Sequence, residues 1–127
     1  DCHELFGRML FSIATGNRDD HAKNHGALHV TGTTYRLAPA FDLVPMPQVS
    51  TTYRQAMIVG LQGQESNLAN ALSAVQHFML NEDDAKAIAS RVSQVVSSWR
   101  KFFSDAGVSE ADMTFVQACF DIGRIAS

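Results

Sequence analysis

The run Gly16-Asn17-Arg18-Asp19-Asp20-His21-Ala22-Lys23-Asn24 sets an Arg, two Asp, a His, a Lys and two Asn within nine positions, directly after an apolar segment. Such groups can take up a proton, ligate a cation or offset phosphate charge, and a turn needs only one or two of them. His21, His25 and His29 also recur every four residues, a spacing that on a helix would stack three imidazoles for zinc. Gly26 and the strand-like Ala27-Leu28-His29-Val30 argue against a helix there, so no three-histidine zinc centre is expected. On composition alone the plain alternative is favoured: Gly16, Asn17 and Asp19 form a turn that ends a helix, and Asn24 opens the next element.

The spacing changes that balance. Arg18-Asp19, with Asn24 five residues after the Asp, fits R-D-x-x-x-x-N. Protein kinases use H-R-D-x-x-x-x-N as their catalytic loop, where the Asp accepts the proton of the attacking hydroxyl and the Asn ligates Mg²⁺. Asn17 stands at the position of the kinase His. A second motif follows in kinase order. An expected hairpin leads to Phe41-Asp42-Leu43, where a kinase delivers the Asp of D-F-G to a second metal position. The Gly of D-F-G is absent, so the loop is not expected to swing as it does in regulated kinases. Asp42, paired with Pro39 and Phe41, outweighs the reading of the first motif as a turn.

Together, Gly16-Asn17-x-Asp19-x-His21-x-Lys23-Asn24 and Arg36-Leu37-x-Pro39-x-Phe41-Asp42 resemble the signature of the C-terminal half of HipA-type serine/threonine kinase toxins. The resemblance extends more loosely through the later helices to the end of the chain. It implies that Asp19 is the catalytic base, and that Asn24 and Asp42 ligate the Mg²⁺ ions that bridge the phosphates of ATP. It implies further that His21 and Lys23 lie along the nucleotide phosphates with Phe41 beside them; Arg18 receives no role. The implied setting is a bacterial, cytoplasmic toxin–antitoxin system with a DNA-binding antitoxin as partner. The substrate would be a protein Ser or Thr, an aminoacyl-tRNA synthetase in the best-known member type.

A kinase also needs a small lobe with a Gly-rich cover and a strand Lys. Gly60-Leu61-Gln62-Gly63 lies downstream of the loop and no strand Lys follows it. The chain opens without Met on an apolar helical pattern, so it reads as a piece of a longer protein. Its N-terminal kinase lobe would be a necessary partner, and the chain alone is expected to be inactive. Two other classes are open: a non-catalytic remnant that binds the antitoxin or another lobe, and a metal-dependent phosphohydrolase using Asp19, Asp20, His21 and Asp42.

The elements that must position these residues can be read from periodicity. Leu5, Phe6, Met9, Leu10 and Ile13 recur at steps of three and four, which predicts a largely buried helix ending at Thr15-Gly16-Asn17. Residues 27–30 and 35–41 flank Thr31-Gly32-Thr33-Thr34 and predict a β-hairpin, with Pro39 arguing against a central strand. Residues 44–64 read as an extended loop, with Ala56-Met57-Ile58-Val59-Gly60 a candidate short strand. Ser50, Thr51, Thr52 and Tyr53 fall where kinases keep an activation segment, although a polar surface loop is the simpler reading. From Ser66 the pattern is helical, with Leu68, Leu72, Val75 and Met79 as one stripe. Asn81 with Asp84 predicts an N-cap for a long helix whose stripe is Ile88, Val92, Val95, Trp99 and Phe102, ended by Gly107. Ser109 with Asp112 predicts a last helix through Val116, Cys119 and Phe120. The class is therefore mostly α with a small hairpin; the resemblance implies one kinase-like large lobe over residues 1–127, with the catalytic loop, hairpin and metal-Asp segment in 1–64 and a helical part in 65–127.

Composition sets the bounds. A chain of 127 residues suits one core. Lys and Arg total 10 against 13 Asp and Glu, so no basic footprint for direct nucleic-acid binding is present. No apolar run reaches a membrane span and no polybasic anchor is found, so no membrane association is expected. Cys2 and Cys119 stand alone, which excludes a disulfide framework and a four-cysteine zinc site and points to a reducing compartment.

Overall fold

A computed structural model describes residues 1–47 and 53–126. The first helix, α1 (Cys2–Ala14), buries Phe6, Leu10, Ile13 and Ala14 completely, as the three-and-four spacing requires. Leu5 and Met9 flank that stripe and are half-buried. Gly16 ends the helix in the left-handed region at φ +67°, where a residue without Cβ is favoured.

A 3-10 turn at Ala22–Asn24 leads into a two-stranded antiparallel ribbon, β1 (Ala27–Thr31) and β2 (Thr34–Leu37). The loop between them is Gly32-Thr33, with Gly32 at φ +55°. The ribbon stands off the body: Leu28, Val30 and Tyr35 are each more than half exposed. It is tied at its base. The Asp1 carboxylate accepts from the Arg36 guanidinium and from the Leu37 N–H at 3.0 Å, and the Arg8 Nη2 donates to the Ala38 carbonyl at 2.7 Å. β2 stops at Leu37, two residues before Pro39, in keeping with the missing N–H donor.

Residues 56–60 do not form a strand. Among the described residues of that stretch only isolated bridges occur, Arg54 to Glu65 and Gly60 to Gly63. Just beyond them the fully buried Asn70 holds residues 62–65: it accepts from the Gln62 N–H at 2.8 Å and donates to the Gly63 and Glu65 carbonyls. Ser50, Thr51 and Thr52 lie outside the described residues.

The helix expected from Ser66 is short. α2 (Leu68–Leu72) begins at its Asn67 cap, and a 3-10 turn follows at Val75–Phe78. Met79 was expected in the buried stripe, but the chain turns left-handed there at φ +58° and leaves it 79% exposed. α3 (Glu82–Ser97) starts at the expected cap, the Asn81 Oδ1 accepting from the Asp84 N–H at 2.8 Å. Its buried seam is Ala85, Ala89 and Val96, with Ile88 and Val92 partly buried. Val95 lies outside this seam and is 47% exposed. The helix breaks at Ser98, and α4 (Trp99–Asp105) leaves Phe102 more than half exposed. Gly107 follows at φ +81°. α5 (Glu110–Val116) carries the expected capping pair of Ser109 and Asp112, then tightens into a 3-10 turn over Gln117–Cys119.

One core joins these pieces. Phe6 meets Phe78 edge-on at 5.2 Å, and Leu80, Ala85, Val96 and Ile125 complete it. Trp99 stacks on Phe120 at 4.3 Å with Phe103 edge-on to both, which closes the C-terminal end. Helices take up about half of the chain against one two-stranded ribbon, so the class is mostly α with a small hairpin. Among the described residues no helix is long and apolar enough to cross a membrane.

Candidate active site

The end of α1 is the foundation of the site. Beyond Gly16 the chain enters the charged run with Asn17 nearly buried at 3% exposure. The Asn17 Oδ1 accepts from the Asp19 N–H at 3.2 Å, and its Nδ2 donates to the Asp42 carbonyl at 3.3 Å. One side chain thereby holds two chain segments 25 residues apart. The Thr15 carbonyl accepts from the Met46 N–H at 3.2 Å and fixes the segment that follows Asp42. The result is a cleft of about 150 Å³ lined by Asn17, Asp19, Asp42, Val44 and Met46.

Asp19 and Asp42 are exposed and line this one cleft. Asp42 is held at φ +59°, a left-handed conformation that Asp tolerates better than most residues. Asn24 is 7% exposed, and its Nδ2 donates to the Asp19 carbonyl at 3.2 Å. It is thus one hydrogen bond from the main chain of Asp19, but it does not line the cleft. His21 is half-buried, its Nδ1 enclosed without a partner among the described residues. Lys23 is exposed, and Phe41 is 48% exposed beside Gly26. Arg18 reaches the Pro47 carbonyl at 3.4 Å.

Asp20 takes a different course from its neighbour. It is 4% exposed, and its carboxylate faces His25 Nε2 at 2.7 Å and accepts from the Ser12 Oγ at 3.3 Å. It turns into the body rather than towards Asp19 and Asp42, so the four-residue set expected of a phosphohydrolase is not assembled. His21 precedes the 3-10 turn, His25 ends it and His29 lies in β1, so their spacing does not stack them on a helix.

Two exposed carboxylates beside an amide form a hard oxygen set suited to Mg²⁺, which is bound through one or two carboxylates together with water or phosphate oxygens. Asp19 and Asp42 meet that requirement. Asn24 has an oxygen, Oδ1, of the right kind, but it does not line the cleft, and its Nδ2 ties it to the Asp19 carbonyl.

Arg8 is the structural residue that the motif reading passed over, while it gave Asn17 and Asp20 other parts and saw His25 only in a histidine spacing. The visible signal of Arg8 is a charged residue inside the apolar run of α1.

Compared with known proteins, residues 1–99 match the model of the HipA-like C-terminal domain, and the chain belongs to that family. No curated protein and no solved structure matches it. The matched span holds both motifs, the hairpin and α3; the aromatic closure by Phe103 and Phe120 lies beyond it.

Proposed function

We propose that the chain is the large lobe of a Mg²⁺–ATP-dependent protein serine/threonine kinase of the HipA type. The observation that supports this best is the Asn17 bridge, which brings the exposed Asp19 and Asp42 to one cleft. Asp19 accepts the proton of a substrate Ser or Thr hydroxyl as its oxygen bonds to the γ-phosphorus of ATP, while the bond from that phosphorus to the bridging oxygen breaks and ADP leaves with the electron pair. Asp42 and Asn24 hold Mg²⁺, which when bound spreads the phosphate charge. His21, Lys23 and Phe41 border the nucleotide, with the Lys23 ammonium offsetting its charge. Positioning and charge stabilisation dominate phosphoryl transfer, so half a cleft supplies only part of either. The isolated chain is therefore inactive, and a separate N-terminal lobe completes the site. The ribbon offers that lobe exposed apolar side chains on both faces, Leu28 on one and Tyr35 beside His29 on the other. A DNA-binding antitoxin partner, a protein substrate such as an aminoacyl-tRNA synthetase and a cytoplasmic setting complete the proposal.

The test is an NMR titration of the labelled chain with ATP and trace Mn²⁺. Broadening centred on Asp19, Asn24 and Asp42, lost in Asp42→Asn, is expected. Broadening elsewhere, or broadening unchanged in Asp42→Asn, overturns the assignment of the site.

A further inference from the structure

The loop proposed to carry the base and a metal ligand runs from Asp19 to Asn24. The buried Asp20–His25 contact joins residues offset from those two by one position each. Asp20 directly follows Asp19, and His25 directly follows Asn24. From this geometry we infer that Asp20 and His25 form a positioning clamp that fixes the separation and facing of Asp19 and Asn24. The inference rests on the proposed kinase reading for its functional meaning, although the clamp itself is a property of the loop.

Four features make the clamp stiff. A carboxylate only accepts, so the His25 Nε2 donates, and a bond of 2.7 Å between enclosed groups is of the strong, charge-assisted kind. The side chains of Asp20 and His25 are only 6% and 15% exposed. They border an apolar hollow of about 270 Å³ whose other walls include Leu5, Met9, Met57, Ile58 and Phe78. Low polarity on that side strengthens the bond. Ser12, 1% exposed on α1, donates to the second carboxylate oxygen and anchors the clamp to the core helix.

Between the clamped residues the backbone has little freedom. The Asn24 N–H donates to the His21 carbonyl at 2.9 Å, and the His25 N–H to the Ala22 carbonyl at 3.3 Å. The Asn24 side chain then ties back to the Asp19 carbonyl. The loop is a small closed ring with Asp19 and Asn24 at its two ends. Without the clamp, the ring keeps only neutral local bonds. Catalytic groups must be held to within about 0.5 Å, which such bonds alone do not secure.

The clamp is tested on the labelled chain by amide hydrogen exchange and Mn²⁺–ATP binding, comparing wild type with His25→Ala, His25→Gln and Ser12→Ala. Gln can still donate to the Asp20 carboxylate; Ala cannot. In His25→Ala, residues 19–24 are expected to lose exchange protection while Leu10 and Val96 keep theirs. Mn²⁺–ATP affinity is expected to fall about tenfold, the usual scale for a residue supporting a ligand. Gln is expected to recover most of both losses, and Ser12→Ala to show a smaller loss in the same direction. A uniform fall in protection, or none, overturns the clamp, as does a Gln variant that behaves like Ala. Should His25→Ala fail to fold, Ser12→Ala and His25→Gln decide by the same readouts. If wild type binds no Mn²⁺–ATP but only the 19–24 loop loosens in His25→Ala, the metal-site reading falls and the clamp stands on its exchange pattern.

Discussion

Replacing Gly16 by Ala separates a turn that merely prefers glycine from one that has room for nothing else. At φ +67° an L-residue carries a conformational cost, roughly 1–2 kcal/mol. The added Cβ would also lie 2.8 Å from the Met46 carbonyl oxygen and 3.3 Å from the Arg124 Nη1. Neither neighbour is free to retreat. The Met46 N–H is bonded to the Thr15 carbonyl, and the Arg124 Nη1 donates to the Ile13 carbonyl at 3.3 Å. Overfilling a packed site of this kind costs about 1–3 kcal/mol, while the stiffer unfolded chain returns about 0.4–1 kcal/mol. The net loss is about 2–4 kcal/mol, a large share of a stability that for such domains is about 5–15 kcal/mol. Urea unfolding followed by far-UV circular dichroism should show the midpoint falling by about 1–2 M, for an m-value of about 2 kcal/mol/M. Gly32→Ala is the internal control. It has a similar φ of +55° but nothing within 4 Å of the new Cβ, so its loss should be about 1 kcal/mol. Equal midpoints for the two variants would refute the claim that the Met46 and Arg124 contacts make Gly16 obligatory.

Asn17→Ala leaves the Asp19 N–H and the Asp42 carbonyl without their shared partner and should cost about 1–3 kcal/mol, with amide shifts at both residues in the NMR spectrum. Shifts confined to one of them would show that the bridge is not shared. Met79→Gly relieves a left-handed residue that is 79% exposed and should raise stability by up to about 1 kcal/mol; a lower thermal midpoint would contradict this. Cys119 is fully buried, and burial pushes its thiol above the ordinary range. Iodoacetamide should therefore modify the half-buried Cys2 first and reach Cys119 only on unfolding, as mass spectrometry can resolve. Because the folded thiol holds its proton more tightly than the unfolded one, its contribution is fully present below the ordinary thiol range. It is lost as pH rises through the raised value, so chemical stability measured across that alkaline window should decline.

The parts of the fold that were legible in the sequence are those fixed by local chemistry. Asn81 and Ser109 cap their helices through side chains that reach three residues along the chain, and Gly32 sits in its hairpin loop. Elements whose form depends on distant partners were misjudged. The seam of α3 is set by Ala85 and Ala89, which a search for large apolar residues passes over in favour of Val95. Residues 56–60 look like a strand, yet the N–H groups of Ala56, Val59 and Gly60 donate to the Arg18 and Gly63 carbonyls rather than to a sheet partner. At the site, the motifs named Asp19 and Asp42, and the fold sets both on one cleft. That Asp20 would turn inward to His25 while Asp19 faces solvent has no linear signature, because it depends on Ser12 and on the walls of the hollow beneath.

Position 42 is screened twice, by two tests that share no physics. Its backbone, at φ +59°, admits glycine freely, Asn and Asp with little penalty, and most other residues only under strain. The proposed chemistry asks for a carboxylate. Glu satisfies the second test and fails the first; Asn and Gly do the reverse. Only Asp passes both, so mutational tolerance here should be narrower than charge alone would set. A saturation library at this codon would show the two filters as separate groups, one lost through folding and the other folded but silent.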